Sequence, residues 1–598
     1  SYPYAAISAF ALHPLYGNIE DIAGEDHKIS IQDIIDQKNH LNSFSGVDYE
    51  AVMNLKWKAY RTLYPVLKNS VFKSKEYKQF YQENQQWLKS YAVFCYLRDL
   101  NGTTDFSVWK SEHQFSSDLV EKLVDPKGKS FDHVGLHLFV QYFLHVQLKR
   151  AHEYANKHGI VLKGDIAIGV NKQSADTWVQ PELYNLDQQA GAPPDDFAIK
   201  GQNWGFPTYN WKVMKQRGFD WWKLRFMQMS NYFDAFRIDH ILGFFRIWSI
   251  PSHAVEGIMG KFVPAIPVHA NELHSILKNI SIDRLCSPYI TNDVLNEFSQ
   301  GRPELLHPFI YSTGNGSYAF KPEFSSQRLI EKYIKPGADT DQQTILQALY
   351  NLHSNVVLWR DDQDSNGFHF RFHAFKTISF QHLDADVQHA LMQLYNDYFF
   401  HRQENIWEKE ALDKLPDLKK CTEMLICGED LGLVPSCVPE VMNSLGFLSM
   451  EVQRMPKQSN QSFFNPRYAP YLSVVTPSTH DMSTLREWWT ENYGSSQLFY
   501  NEQLGQYGQA PKEATPSIIK GIIQQHLYSP AMWAIFQLQD LLAMSEKLRL
   551  KNPAEERINI PGDSKHYWRY RMPMLIEDLV REEDFNSDLR NNINSSHR

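Results

Sequence analysis

A chain of 598 residues is long enough to bury a large core, and its length alone predicts large insertions or a second domain. The net charge of −9 and the pI of 6.2 argue against a nucleic-acid partner and against binding to an anionic membrane surface. Five cysteines without a CxxC pair make a zinc site unfavourable and fit a reducing cytoplasm without structural disulfides.

The first part of the chain is predicted to be mostly helical. Residues 30–158 carry aromatic and charged residues at helical spacing, most clearly over 71–100 and 136–158. No apolar run without charges reaches the length of a membrane span. Because the first residue is Ser1 and not Met, a targeting segment upstream stays open.

A helix-to-strand order typical of α/β barrels comes next. Residues 159–170 alternate small and apolar side chains and predict a strand, whereas 176–205 is rich in turn residues. Residues 219–233 predict an amphipathic helix that leads into a buried strand ending near Asp239. Strand alternation places Arg237 and Asp239 on one face. The guanidinium is expected to lower the pKa of Asp239, so the carboxylate should be ionised and suited to act as a nucleophile.

A central block over residues 266–415 has helical patterns of its own, and we predict that it forms an inserted, largely helical subdomain. One stretch in it, residues 362–367, matches the first half of a calcium-binding loop. His373 stands where the bidentate acid should be, so a solvated turn between two extended segments is the better interpretation. The chain therefore predicts no metal site and no organic cofactor.

Two more short apolar strands end in acids. One is followed by Glu429 and Asp430, and the other by His480 and Asp481. A single acid at a strand end is more often a helix cap or an ion-pair partner than a catalyst. Three such strands, counting the one before Asp239, predict the active face of a barrel enzyme with a glycosidase-type carboxyl pair.

At these residues the chain resembles 4-α-glucanotransferases of the amylomaltase (disproportionating enzyme) family, a branch of the α-amylase-like glycosidases. The match is collinear and covers most of the chain except the central block. The matching stretches are SAFA (8–11), GDIAIGV (164–170), GAPPD (191–195), GQNWGFP (201–207), RIDH (237–240), GEDLG (428–432), THD (479–481) and ERINIPG (556–562).

The resemblance implies a retaining transfer of glucosyl or α-1,4-glucan units from maltose or maltooligosaccharides to a glycogen-like or other glucan acceptor. Such chemistry needs a nucleophile and an acid/base about 5–5.5 Å apart. We assign Asp239 as nucleophile. The resemblance favours Glu429 over Asp430 as acid/base, although composition leaves both open. Asp481 is expected to bind ring hydroxyls and to help position the cationic transition state.

Further side chains around these acids are candidate sugar ligands. His240 and His480 can donate hydrogen bonds to sugar hydroxyls. Asp165 either binds sugar or orients Arg237, and a purely structural ion pair explains it equally well. The predicted substrate-binding residues are Arg237, His240, His480, Asp165, Ser8 and Trp204.

The resemblance also implies an α/β fold, a (β/α)8 barrel of TIM type with large helical insertions. We expect residues 1–265 and 416–598 to form the two parts of the catalytic barrel, with the helical region over about 30–158 in the first part. The long connection between Asp239 and Glu429 looks like the maltose-acting branch. The family places its first two strands before the SAFA stretch, so we expect them to lie upstream of Ser1, where starch-binding domains could also stand; a barrel that closes in another way is the alternative.

Three functions therefore compete. The favoured one is a glucanotransferase, the second is a retaining α-glucan hydrolase of amylase type that uses the same acids, and the third is a non-catalytic glycan-binding scaffold. All three acids are present, which disfavours the scaffold. The expected partners are maltose, maltooligosaccharides and a glucan acceptor, with no nucleic acid and no membrane, in the cytoplasm.

Overall fold

A computed structural model of the chain describes residues 3–195, 198–278, 280–335, 337, 340–458, 460–561, 563 and 566–598. Gly562, the last residue of the ERINIPG stretch, lies outside the described residues. Helices and short strands follow one another along the described part, which confirms the predicted α/β class. The closed eight-stranded barrel and the three domain boundaries stay predictions.

The framework of the fold is a set of parallel strands. They form two three-stranded sheets, which are joined where Leu448 N donates to Ile426 O (3.0 Å) and Gly428 N donates to Leu448 O (2.8 Å). The strands are neighbours in chain order, as in a barrel. They are Lys163–Ile166, Ala235–Ile238, Leu425–Gly428, Ser449–Val452, Ser473–Thr476 and Trp533–Ala534.

The burial of these strands explains their composition. Every residue of Ala235–Ile238 and of Ser473–Thr476 is buried. Strands that are covered on both faces have near-continuous apolar runs with little alternation, and parallel strands are usually covered in this way. Helices Asp220–Ser230 and Cys437–Leu445 supply part of the cover, with Trp222, Phe226 and Met442 in the main core.

The first part of the chain is helical, as predicted. Ser74 separates its two long neighbouring helices: its Oγ donates to Val71 O (2.7 Å) and accepts from Tyr77 N (3.1 Å), so it ends one helix and caps the next. Two apolar clusters bury the inner faces of this region. The helices are Ile19–His27, Gln32–Asn42, Tyr49–Lys73, Lys75–Asn101, Ser117–Val124 and Phe131–Lys157.

The segment between the first two parallel strands, and the one after the second, build an antiparallel sheet beside the framework. Its strands lie in the order Gln202–Asn203, Gln188–Ala192, Ile247–Pro251 and Lys261–Val263. The other elements here are the strand pair Tyr184–Asn185 and Thr208–Tyr209 and the helices Ala175–Val179 and Trp211–Gln216.

Over its described residues, the block 266–415 has nine α-helices and five short strands, and four of these strands form two antiparallel pairs. Part of the block has its own core around Leu295 and Leu349. Another part, including Trp407, belongs to the main core. The helices are Ala270–Leu277, Ile282–Cys286, Asn292–Phe298, Gln327–Tyr333, Thr340–His353, Ile378–Gln381, Ala385–Phe400, Glu404–Leu412 and Leu415–Lys419. The strands are Val268–His269, Ile310–Gly314, Ser317–Phe320, Leu358–Arg360 and Gly367–Phe370.

The stretch that resembles half a calcium loop is a hairpin turn, as predicted. Leu358–Arg360 and Gly367–Phe370 pair antiparallel on either side of it. The carboxylate of Asp361 accepts hydrogen bonds from the backbone N–H groups of Gln363 and Asp364, which is a turn-stabilising role.

The last part of the chain packs against a loop near its beginning. Arg571 donates to the carbonyls of Leu41 and Phe44, and Val47 N donates to Arg569 O, so residues 566–571 lie across the loop 43–48. The remaining helices are Leu485–Glu491, Tyr493–Glu502, Pro516–Leu527, Leu538–Leu542, Ile576–Val580 and Glu583–Ser595. Over the described residues, no helix is both long enough and apolar enough to span a membrane.

A buried ion pair anchors the ERINIPG stretch, and its removal should destabilise the protein. Glu556 pairs with Arg486, and both side chains are almost fully buried. Glu556→Gln leaves the Arg486 charge uncompensated, so we expect a cost of about 3 kcal/mol and a lower thermal unfolding midpoint. The matched control is Glu555→Gln, one residue away and exposed, which should leave the midpoint unchanged. Equal midpoints for the two variants would contradict the prediction.

Candidate active site

Asp239 and Glu429 follow neighbouring parallel strands at the same edge of the sheet. Ile238 and Gly428 are register partners at the ends of those strands. Glu429 N donates to Ile238 O (2.9 Å), and Ile241 N donates to Glu429 O (3.1 Å), so the two chains stay paired just beyond the strands. The structure thus brings together the two acids that the sequence analysis paired.

Arg237 connects two of the other predicted residues. Its side chain is buried, and Nη1 donates to Asp165 Oδ2 (2.8 Å) while Nη2 donates to Asp239 Oδ1 (2.9 Å). Asp165 is the register partner of Arg237 on the adjacent strand, so strand pairing sets this contact. Arg237 and Asp239 lie on one face, as alternation predicts. The ion pair of Asp165 with Arg237 fits both the orientation of Arg237 and a purely structural role, and sugar binding by Asp165 stays a prediction.

The carboxylate of Glu429 is held by backbone groups. Oε2 accepts from His240 N (3.0 Å) and Oε1 accepts from Leu431 N (3.1 Å). His240 adopts a left-handed conformation with φ of 45°, which turns its N–H toward the acid. Burial, reinforced by Asp430 and Asp481, raises the pKa of Glu429 to about 7 against the opposing effect of Arg237.

Asp430 is placed differently from its neighbour. It is fully buried, with Oδ1 accepting from Met450 N (2.8 Å) and Oδ2 paired with Lys457 Nζ (2.7 Å). Lys457 also pairs with Glu451 (2.9 Å). Asp430 is therefore fully buried and paired with a cation, whereas Glu429 is half-buried and both of its oxygens accept from backbone N–H groups. This contrast favours Glu429 as the acid that meets a substrate.

The expected pKa shift of Asp239 is wrong in direction. Its side chain is only 19% exposed, and burial, together with Asp165, Glu429 and Asp481, raises its pKa to about 8. Arg237 lowers the pKa, as predicted, but it is one cation shared with Asp165. Desolvation and several nearby carboxylates outweigh a single guanidinium. In the free protein the cluster therefore retains a proton near neutral pH.

The third predicted acid, Asp481, lies on a loop after the strand Ser473–Thr476. Its Oδ1 accepts from Asn559 Nδ2 (2.7 Å), and its Oδ2 lies 3.3 Å from His480 Nε2. The side chain is 38% exposed, compared with 19% for Asp239. Asn559 belongs to the ERINIPG stretch, which was recognised in the sequence without a role for any of its residues.

Tyr4 is a functional candidate that the sequence analysis missed. Its hydroxyl donates to Asp165 Oδ2 (2.8 Å) and lies 3.0 Å from His480 Nε2, so it links two predicted residues. Burial and the nearby carboxylates raise the pKa of the phenol far above its usual range, so it stays a donor. The ring of Trp568 is 6.1 Å from Tyr4 and 5.4 Å from His480. No periodic pattern surrounds Tyr4 that could have identified it.

Of the remaining predicted ligands, Trp204 and His240 contact each other, whereas Ser8 is bound within a turn elsewhere. The rings of Trp204 and His240 are 5.0 Å apart in an edge-to-face arrangement, and burial lowers the pKa of His240 to about 4, so the imidazole is neutral. Ser8 is buried, and its Oγ accepts from Phe10 N (3.1 Å) and Ala11 N (3.3 Å). These contacts give Ser8 a turn-stabilising role.

The side chains around the described site do not form a set of metal ligands. In the part of the chain that the structure describes, no group of three or more His, Cys, Asp or Glu side chains could hold a metal ion. The cluster around Arg237 instead combines carboxylates with a guanidinium, a phenol and an amide, which are groups that hydrogen-bond hydroxyls and move protons.

Comparisons with known proteins identify the family to which the chain is similar. A family model described as 4-alpha-glucanotransferase matches residues 1–577. The 4-alpha-glucanotransferase DPE2 of rice (Oryza sativa subsp. japonica) is 41% identical over all of this chain, which spans 64% of the rice protein. A 4-alpha-glucanotransferase of Chlamydia muridarum is 24% identical over 98% of this chain and 84% of its own length.

Solved structures show the same fold. Amylomaltase from Streptococcus agalactiae, determined in complex with acarbose, aligns with all of this chain and 89% of its own, with a TM-score of 0.63 and 18% identity. Amylomaltase from Corynebacterium glutamicum aligns with all of this chain and 67% of its own, with a TM-score of 0.56 and 14% identity.

Proposed function

Because the chain belongs to the 4-alpha-glucanotransferase family, we propose that it transfers glucosyl or α-1,4-glucan units from maltose or maltooligosaccharides to a glucan acceptor. The observation that carries the proposal is the placement of Asp239 and Glu429 on adjacent parallel strands around Arg237. We further propose that the parallel strands belong to a (β/α)8 barrel, with residues 266–415 as its inserted block, and that the enzyme acts in the cytoplasm.

The spacing of the strands supports a retaining mechanism. Neighbouring strands lie about 4.8 Å apart, which suits the separation of about 5–5.5 Å between the carboxyl groups of retaining enzymes. An inverting pair would need room for a water between the acids. Asp239 then attacks the anomeric carbon, the bond to the departing sugar oxygen breaks, and a covalent glycosyl-enzyme forms.

Proton transfer falls to Glu429. A pKa of about 7 lets the group be protonated when it donates to the leaving sugar oxygen and ionised when it takes the proton of the acceptor hydroxyl. Asp239 must be ionised when it attacks. Because the pKa of Asp239, about 8, is higher than that of Glu429, about 7, the free protein holds the retained proton mainly on Asp239. Attack by Asp239 requires that this proton move to Glu429, and the bond of Arg237 to Asp239 favours the ionised nucleophile.

Asp481, His480 and Tyr4 supply polar groups for sugar hydroxyls. Asn559 fixes one oxygen of Asp481, so the other is directed by His480 and by the bound sugar. Trp204 can cover an apolar sugar face, as flat aromatic rings do. If water occupied the acceptor site and attacked the glycosyl-enzyme, the same chemistry would give hydrolysis. The test must therefore separate the products of transfer from those of hydrolysis.

Incubation with maltose, with and without glycogen, tests the proposal. Transfer yields glucose and longer chains from maltose alone, whereas hydrolysis yields only glucose. Asp239→Asn is the matched control, because it removes the nucleophile and keeps the shape; we expect a loss of far more than tenfold in turnover. Turnover within about tenfold of the wild type, or ~1.4 kcal/mol, would rule out Asp239 as the nucleophile.

Glu429→Gln should separate the two steps of the reaction. A donor with a good leaving group, α-glucosyl fluoride, needs no acid in the first step, so fluoride release in the first turnover should persist in the variant. Glucose release from maltose should fall by about a hundredfold or more, since general acid catalysis typically contributes that much. Equal losses with the two donors would show that Glu429 is not the acid, and a selective loss in Asp430→Asn would exchange the two roles.

The charge of Asp430 should affect the pH profile. Asp430 raises the pKa of Glu429, so Asp430→Asn should lower it. The protonated acid is then lost at lower pH, and the alkaline limb of kcat/KM for maltose should move to lower pH by roughly half a unit. Glu451→Gln is the control, because it removes the other partner of Lys457 away from Glu429 and should leave the limb in place. An unmoved limb in Asp430→Asn would contradict this explanation.

A further inference from the structure

Arg246, a buried arginine outside the charge cluster around Arg237, binds the loop that follows Glu429. The guanidinium carbon of Arg246 lies 3.7 Å from the ring centroid of Phe262 and 4.0 Å from that of Trp407. Its Nη2 donates to Leu433 O (2.6 Å). Among the described residues no carboxylate forms an ion pair with it, so two aromatic faces and a backbone carbonyl hold this charge.

The inserted block holds the same loop at a second point. Glu404 accepts hydrogen bonds from Ser436 Oγ (2.8 Å) and Cys437 N (3.1 Å), where the loop enters the next helix. Glu404 and Trp407 both belong to the helix Glu404–Leu412. This helix therefore contacts the loop directly through Glu404 and indirectly through the ring that packs on Arg246.

A second arginine has the corresponding place on the loop of Asp481. Arg454 is half-buried, its Nε donates to Pro477 O (3.1 Å) and its Nη2 donates to Ser483 O (2.5 Å). These two carbonyls lie on either side of Asp481, and the guanidinium carbon is 5.1 Å from the ring of Trp488. The loop after Glu429 and the loop that carries Asp481 thus each have one arginine bound to their backbone.

We infer that Arg246 is a positioning residue that fixes the Glu429 loop to the inserted block, and that Arg454 does the same for the Asp481 loop. Leu431 N, in the first loop, donates to Glu429 Oε1, so a shift of that loop moves the acid/base carboxylate. Small displacements of a proton donor are costly in rate. The kinetic part of this inference rests on the proposed function.

The two donors described above distinguish the arginines. In the first step, maltose needs a proton from Glu429 for its departing oxygen, whereas fluoride leaves without one. Arg246→Met should therefore slow glucose release from maltose by about tenfold or more and fluoride release by less than about threefold. Arg454→Met is the matched variant: because Asp481 serves both donors, it should slow both first steps to a similar extent.

Two milder variants guard against misfolding. Arg246→Lys keeps the charge but loses the planar fork, and we expect the same selective loss at a smaller size. Glu404→Gln leaves Arg246 in place and weakens the hydrogen bonds to Ser436 and Cys437. It should therefore also slow glucose release from maltose more than fluoride release. Equal losses with the two donors in Arg246→Met, Arg246→Lys and Glu404→Gln would overturn the positioning role of Arg246.

Hydrogen exchange of backbone amides gives a readout that does not depend on activity. Arg246→Met should raise exchange across residues 431–437 by about tenfold and leave 477–484 unchanged, and Arg454→Met should do the reverse. If the wild type transfers nothing from either donor, the proposed function fails, and the exchange pattern still decides the inference about the arginines. Unchanged exchange in the matching loop would contradict it.

Discussion

The arrangement of the site depends on one buried guanidinium, that of Arg237, which forms hydrogen bonds with two carboxylates. Arg237 binds Asp165 on one neighbouring strand and Asp239 at the end of its own, while the third strand carries Glu429. An arginine in this position needs strands in parallel register, because only then do three adjacent carboxyl ends meet. The parallel framework and the charge cluster therefore depend on each other.

The charges of the cluster do not balance, and this imbalance is useful for catalysis. Asp165, Asp239, Glu429 and Asp481 surround a single guanidinium, so burial and mutual repulsion raise the pKa values of Asp239 and Glu429. A site with enough cations to ionise every acid would have no proton to donate at neutral pH. A site with none would raise the pKa of Asp239 further, because Arg237 is the group that lowers it.

Much of this site could be predicted from sequence, because strand-end acids follow local rules. Apolar runs that end in Asp239 and Glu429 predicted two neighbouring carboxyl ends, and alternation placed Arg237 correctly. The pKa direction of Asp239 could not be predicted, since desolvation depends on the whole fold. Tyr4 was missed for a similar reason: it comes from an irregular segment, and its contacts join residues more than 160 positions away.

The loops show a division of labour between backbone pairing and buried side chains. Hydrogen bonds between strands place the Cα atoms of Asp239 and Glu429. The loop after Glu429 pairs with no strand among the described residues, and Arg246 and Glu404 both contact its backbone. Both contacts reach the inserted block. If residues 266–415 are an insertion, as we propose, the insertion contributes to the position of the proposed acid, because its Trp407 ring packs on Arg246.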